Sequence, residues 1–162
     1  MRADDLRLLF DYSYAATGRV LDAAGRLEPG EFTGPPPLRG AMSLQDILVH
    51  TLGAERGWRE FLRTGVDDEA TGLDPAAFPG VPVLTRAWRE DEARMREWLD
   101  TLDDEALDVP EAGRGRPIWV CLTHVINHST QHRSEAAMIL SHLGQSPGDL
   151  DFTFYLHGWT DD

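Results

Sequence analysis

The sequence is organised around the stretch HVINHSTQHR, residues 124–133, which lies in a long apolar-rich segment near the C-terminus. It places His124, His128 and His132 at steps of four residues. On an α-helix each such step rotates the side chain by only about 40°, so neighbouring histidines share a face one turn apart. Histidines at i and i+4 form a ready chelating pair. The stretch therefore predicts a helix that offers two imidazoles to a metal ion, with a third ligand from another helix.

The segment around this stretch predicts the longest helix of the chain, from Pro117 to about Leu143, with Gly144 as its cap. Its apolar residues fall on two opposite faces. Such a helix is expected to be covered on both sides, by the rest of the fold and by either the C-terminal tail or a second subunit. We therefore expect a homodimer.

Apolar residues at spacings of three and four predict three further helices upstream. They run from Asp4 to about Ala24, from the N-cap Ser43 to Gly65, and from about Val83 to Leu102. The segments between helices, 28–41, 66–82 and 103–116, are rich in glycine and proline or in acidic residues and are predicted loops, the first a candidate rim or lid. The pattern predicts an all-α fold, a single four-helix-bundle domain over residues 1–162 with long loops. Because these loops permit a crossover connection, a strict up-down-up-down order is not assumed. The aromatic tail, residues 152–159, is expected to pack on the bundle.

The best candidate for a third ligand is His50, at the edge of the apolar stripe of the second predicted helix. Metal sites in helical bundles form where side chains of facing helices converge. Neutral imidazole suits Zn, Ni, Cu and Fe, and three such ligands leave coordination positions for water or substrate. The alternative is that these histidines are ordinary core residues held by hydrogen bonds.

Composition limits the classes of partner. The formal net charge is −13, with 41% hydrophobic and 27% charged residues, and no strongly basic run is present. Such a surface repels phosphate backbones, so nucleic-acid binding is not expected. Cys121 is the only cysteine, which rules out an intrachain disulfide. We expect no signal peptide and no membrane span, and a cytoplasmic location.

Two motifs resemble those of the DinB/YfiT-like family, a group of small four-helix-bundle metalloproteins. They are Leu48-Val49-His50-Thr51-Leu52, followed by Glu55 and Trp58, and residues 124–133. The resemblance implies that His50, His128 and His132 bind the metal, and that His124 is an additional histidine outside the ligand set. Because all three ligands are imidazoles, we expect the metal to be zinc or nickel. It also implies a metal-dependent transferase or hydrolase, since relatives include thiol-dependent transferases and mycothiol-dependent isomerases.

One departure from the family pattern concerns the residues after His132. The family commonly continues His-Arg-Gly-Gln, whereas this chain has Arg133, Ser134 and Glu135. Glu135 falls within about 20° of His128 on a helical wheel, so it faces the predicted site. It is either a carboxylate that orients an imidazole or a fourth ligand. Glu55 is either a solvated helix acid or a hydrogen-bond partner near the site.

Two functions remain open at this level. In the first, the metal binds a low-molecular-weight thiol, lowers its pKa and presents it to an electrophile. In the second, the protein is a non-catalytic metal-binding protein of a stress response. Outside the site, Arg133 is expected to be a structural ion-pair partner, and Cys121 a buried small apolar residue.

Overall fold

The computed structural model describes residues 1–28, 30–36, 40, 42–67 and 72–159. These residues form six α-helices and no β-strand, which confirms the all-α prediction. The helices are α1 (Ala3–Ala24), α2 (Leu44–Thr64), α3 (Val81–Leu99), α4 (Asp104–Leu107), α5 (Ile118–His142) and α6 (Phe152–Leu156). Parts of the predicted loops, residues 29, 37–39, 41 and 68–71, lie outside the described residues, as do residues 160–162 of the chain end.

The four long helices correspond to the four predicted ones, with shifted ends for two of them. The third helix begins at Val81, because Pro82 fits in a first helical turn, and it ends at Leu99 rather than Leu102. Pro117 is the residue before α5, not its first helical residue. Two predicted loops also contain short helical pieces, the 3₁₀ turn Pro75–Ala77 and α4. Such pieces are too short for a hydrophobic period to show in the sequence.

The ends of α2 follow from its sequence. The Ser43 hydroxyl accepts a hydrogen bond from the Asp46 backbone N–H at 3.0 Å, as an N-cap should. At the other end Gly65 adopts a left-handed conformation with φ 72°, which glycine takes without the steric cost that a side chain brings. These two signals fix the length of the helix that carries His50 and Glu55.

The long helices form a closed ring in which α1 contacts α5, α5 contacts α2, α2 contacts α3, and α3 contacts α1. Arg7 donates to the carbonyl oxygens of Leu99 and Leu102, so α1 and α3 are antiparallel. Since α2 begins near Phe78, just before α3, these two helices are parallel. Two consecutive helices, α2 and α3, therefore run in the same direction, and the bundle departs from an up-down-up-down order as the long loops allow.

The core consists of two apolar clusters at opposite ends of the bundle. One joins Val20, Leu48, Leu84 and Leu140, and the other joins Leu6, Phe10, Met95, Leu107 and Leu122. Between them lies a set of buried polar side chains that we call the polar layer, comprising Ser13, Glu55, Arg59, Asp91, Ser129 and Arg133.

The aromatic tail packs on α1, as predicted. The Tyr12 ring lies 5.0 Å from the Phe152 ring and 5.7 Å from the Tyr155 ring, and its hydroxyl donates to the Leu150 carbonyl at 2.7 Å. Phe154 and Leu156 on the other side of the tail are exposed. None of the described helices has the length and hydropathy needed to cross a membrane.

Candidate metal centre

The structure brings together the three histidines that the sequence singled out. Because α2 and α5 pack against each other in opposite directions, His50 faces both His128 and His132. Each ring offers one nitrogen, and the three nitrogens all lie within 4.8 Å of one another. The Nε2 atoms of His50 and His128 are 3.2 Å apart. We call His50, His128 and His132 the histidine cluster.

The distance between the Nε2 atoms of His50 and His128 fits a bound transition metal. Two nitrogen ligands at about 2.0–2.1 Å from a tetrahedral zinc ion stand about 3.3 Å apart, and cis ligands of an octahedral ion stand about 3.0 Å apart. The observed 3.2 Å lies between these values and so fits either geometry. One N–H···N hydrogen bond between two neutral imidazoles would give the same separation.

The cluster is open on one side. His132 is buried with 9% of its surface exposed, His128 is half-buried, and His50 is exposed. A metal held here would therefore be bound on its buried side by His132 and would be open to solvent on the side of His50. Such an arrangement keeps coordination positions available for water or a substrate, as working metal sites do.

Glu135 orients the buried member of the cluster. Its carboxylate lies 2.7 Å from Nδ1 of His132. Burial alone would raise the pKa of Glu135, but the hydrogen bonds from His132 and Gln131 outweigh burial and lower it. The ionised carboxylate can only accept, so Nδ1 of His132 carries the proton and its Nε2 lone pair is free for a metal. This contact matches the first of the two roles that the sequence left open for Glu135.

The other two histidines of the cluster are prepared to bind in the neutral form. Burial, followed by the nearby His132, His50 and His124, lowers the pKa of His128 to about 4. Desolvation and then His132 lower the pKa of His50 as well. A metal ion binds the neutral imidazole, so these shifts reduce competition from protons near pH 7.

The remaining site candidates lie beside the cluster. The exposed His124 ring packs against Trp58 at 5.3 Å and His128 at 5.9 Å between centroids. Glu55 is not a solvated helix acid: it is buried, and Oε1 accepts a hydrogen bond from the Ser129 hydroxyl at 2.5 Å. Glu55 thus reaches the residue next to His128, and no described histidine is its hydrogen-bond partner.

Arg133 is structural, but the expected direct ion pair is wrong. The guanidinium is buried and donates to the Ser13 carbonyl oxygen at 3.2 Å, to the Ser13 hydroxyl at 2.6 Å and to the Thr130 hydroxyl at 2.9 Å. It also lies over the Tyr12 ring. Among the described residues no carboxylate contacts it directly, because the neighbouring helix α1 presents hydroxyl and aromatic groups there. Cys121 is buried, as predicted.

The sequence interpretation missed a groove next to His124. The half-buried Trp58 ring packs against the core on one side and lines this groove together with Arg114 of the predicted loop 103–116. The small residues Gly53, Ala54 and Gly57 on one side of α2 were the available signal, because a helix face without bulky side chains leaves room beside it.

Comparison with known protein families supports the resemblance seen in the motifs. The sequence model described as the DinB family matches residues 1–161. No curated protein matches the chain significantly.

Proposed function

The chain belongs to the DinB family, and we propose that it holds one divalent transition metal ion through His50, His128 and His132. The observation that carries this proposal is the convergence of three imidazole nitrogens from two helices to within 4.8 Å. The contact of Glu135 with His132 adds to it, because a carboxylate on the far nitrogen is what usually fixes a metal-binding histidine.

Zinc and nickel are the metals we propose first. Both accept neutral imidazole, and a set of three such ligands leaves the ion with its positive charge and with open positions. When bound, the ion would supply Lewis acidity that lowers the pKa of a coordinated thiol or water. The residues of the chain hold the site: Glu135 fixes the His132 ring, and the exposed His50 leaves the approach from solvent open.

The activity that this site best supports is a metal-dependent transfer or hydrolysis that uses a low-molecular-weight thiol. The support is family membership together with the open side of the cluster. The alternative is a metal-binding protein of a stress response that has no catalytic turnover. Assays with a panel of thiols and electrophiles on metal-loaded protein separate the two, since only the enzyme consumes both reactants at a rate that H128A abolishes.

Metal content tests the site itself. Protein purified without an affinity tag should contain about one equivalent of metal per chain by elemental analysis. H128A and H132A should lose most of it, because each removes one of three ligands. H124A is the matched control, since His124 lies on the same helix face outside the cluster, and it should keep most of the metal. Equal loss from all three variants would contradict the ligand assignment.

We also expect a homodimer with the cluster intact in each subunit. The tail covers α1 through Tyr12, whereas Met138 on α5 remains exposed. Analytical ultracentrifugation at micromolar concentration tests this, and a single species of 18.1 kDa would contradict it.

A further inference from the structure

A groove lies on the bundle surface directly beside the histidine cluster. It has a volume of about 770 Å³, which is in the range of small-molecule sites. The small residues Gly53, Ala54 and Gly57 of α2 form one wall, and Trp58 and Phe61 provide aromatic surface. This combination of free space and aromatic rings suits an apolar group of a ligand.

The opposite rim of the groove is a hairpin that the fold holds in place. Residues 109–118 pair through backbone hydrogen bonds from Ile118 to the Val109 carbonyl at 3.0 Å and from Glu111 to the Arg116 carbonyl at 2.8 Å. The hairpin also packs on α2: a Cβ added to Gly113 would lie 3.2 Å from a ring carbon of Phe61. The hairpin therefore forms an ordered wall of the groove.

The hairpin presents two arginines to the groove. Arg114 and Arg116 both line it, both are exposed, and neither guanidinium makes a hydrogen bond or ion pair with a described residue. The chain as a whole is strongly acidic, with a net charge of −13, so two neighbouring arginines without such partners form an unusual positively charged spot. Arginine is the side chain best suited to bind a carboxylate, because its planar fork matches the two oxygens.

Two acids also line the groove, and their states differ. The Glu111 carboxylate accepts hydrogen bonds from the backbone N–H groups of Gly113, Arg114 and Arg116, so it serves the hairpin itself. Burial alone would raise the pKa of Glu111, but these bonds and the charge of Arg116 lower it. Asp67 is the other acid on the described part of the rim. The backbone hydrogen bonds occupy the oxygens of Glu111, so both guanidinium groups remain available for a carboxylate of a ligand.

His124 joins the groove to the histidine cluster. Its ring lines the groove, packs on Trp58 and lies 5.9 Å from the His128 ring between centroids. A molecule seated against Trp58 therefore lies one histidine away from a residue of the metal centre. His124 therefore lies between the groove and the histidine cluster and is not one of the proposed metal ligands.

From these observations we propose that the groove is the substrate site of the protein, and that it binds a small molecule with an apolar body against Trp58 and Phe61 and a carboxylate on Arg114 and Arg116. The term substrate rests on the proposed metal-dependent function. The binding itself depends only on the groove, so the two proposals can fail separately.

The test uses 3-phenylpropionate and its uncharged amide, 3-phenylpropanamide, as probes of the ligand class. Each is titrated into metal-free, ¹⁵N-labelled protein while amide chemical shifts are followed by NMR. We expect shifts at residues 53–61 and 111–124, and an affinity for the acid about tenfold above that for the amide, as a charge-assisted bidentate contact provides. Equal affinities, or shifts confined to other residues, would overturn the proposal.

Three variants locate the contact. R114Q/R116Q should lower the affinity for the acid to that of the amide and leave the amide unchanged. R86Q/R89Q is the matched control, because it removes two exposed arginines of α3 outside the groove, and it should bind the acid as the wild type does. A54L should fill the groove and abolish binding of both probes. Circular dichroism confirms that each variant is folded, and equal loss of acid binding in the two arginine pairs would overturn the proposal.

Metal loading separates this result from that of the proposed function. If the metal-free protein shows the expected pattern while zinc fails to bind the histidine cluster, the carboxylate site stands and the metal-dependent function fails. If zinc binds and neither probe does at concentrations up to about 100-fold above the protein, the carboxylate site is wrong and the metal centre stands.

Discussion

The histidine cluster lies on α2 and α5, and both helices also contribute to the polar layer, yet the two regions differ in burial, in charge and in how their polar atoms are paired. In α5, neighbouring residues belong to different regions. His128 and His132 are part of the cluster, while the residue that follows each of them, Ser129 and Arg133, is part of the polar layer. One residue along an α-helix rotates the side chain by about 100°, so a single turn serves both regions. The cluster gathers neutral rings near solvent, whereas the layer holds ionisable groups inside the core.

The two regions also differ in how their polar atoms are satisfied. In the polar layer Arg59 pairs with Asp91 at 2.7 Å, and Arg133 donates to Ser13. In the cluster three nitrogens converge on one space. Buried polar groups that pair with each other hold a fold in one arrangement, while imidazole nitrogens that converge on one space near solvent invite a cation. We therefore expect the layer to contribute stability and the cluster to contribute metal binding.

The largest expected effect comes from removing the buried guanidinium. R133M keeps most of the volume but leaves the Ser13 hydroxyl unpaired and Glu55 without its nearby positive charge. We expect a loss of about 3 kcal/mol in the free energy of unfolding, because hydrogen bonds from a buried charged group are lost and a buried hydroxyl stays unpaired. Urea denaturation of the metal-free protein measures this loss. R86M, at an exposed position on α3, should cost less than about 0.5 kcal/mol. The folded fraction of R133M should still bind metal, and a loss below about 1 kcal/mol would contradict the role assigned to the layer.

The second prediction concerns the charge of Glu55, which is only 2% exposed. Burial raises the pKa of Glu55 to about 7 against the opposing effects of the Ser129 hydrogen bond and the Arg133 charge, with Asp91 and Glu92 of α3 also raising it. The folded state thus holds the proton more tightly than the unfolded chain, where the pKa is about 4.3. The stabilisation is complete below that value and is lost as the pH rises towards 7.

E55Q should therefore gain stability relative to the wild type as the pH rises from 5 to 8. The glutamine keeps an oxygen that accepts from Ser129 and removes the titration. We expect a relative gain of at most about 3 kcal/mol, which is the part of the roughly 4 kcal/mol between the two pKa values that falls between pH 5 and 8. Urea denaturation at both pH values measures it, with E90Q as the control at an exposed position. Parallel pH curves for wild type and E55Q would show that Glu55 is solvated in solution.

The third prediction tests whether Glu135 fixes the orientation of the His132 ring. E135A removes the carboxylate that holds Nδ1 of His132. We expect the affinity for zinc to fall about 10- to 100-fold, as it does when such partners of metal-bound histidines are removed. A competition titration with a chromophoric chelator measures the affinity, and E135Q should recover part of it because its amide oxygen still accepts from Nδ1–H. If both variants bind zinc as tightly as the wild type, the His132 ring is held by packing alone.

Most of the fold and the composition of the cluster could be predicted from the sequence, and the polar layer and the groove could not. Helical periodicity predicts which residues share a face, so it groups His124, His128 and His132 and places Glu135 beside His128. The choice of His128 and His132 as the ligands rests on the resemblance of the two motifs to the family pattern. Periodicity does not show what the neighbouring helix presents, so the sequence predicts an ion pair for Arg133 at a place where α1 has Ser13 and Tyr12. The groove combines α2 with the hairpin, which are about 50 residues apart in sequence and come together only in the fold.

The smallest expected effect concerns how the affinity of the histidine cluster for zinc depends on pH. Three unperturbed histidines with pKa values near 6.5 would each lose about tenfold in metal affinity between pH 7.5 and 5.5, or about a thousandfold together. Burial and the neighbouring rings lower the pKa of His128 to about 4, so its lone pair remains free over this range, and the pKa of His50 is also lowered. We therefore expect the affinity for zinc to fall by no more than about a hundredfold, at least tenfold less than the unperturbed set predicts.

Competition titrations at several pH values measure this, and E55Q should give the same slope because Glu55 titrates in the polar layer, away from the metal. A thousandfold fall in the wild type would mean that the three rings are separated and hydrated in solution, and a slope altered by E55Q would mean that the cluster and the layer act as one region.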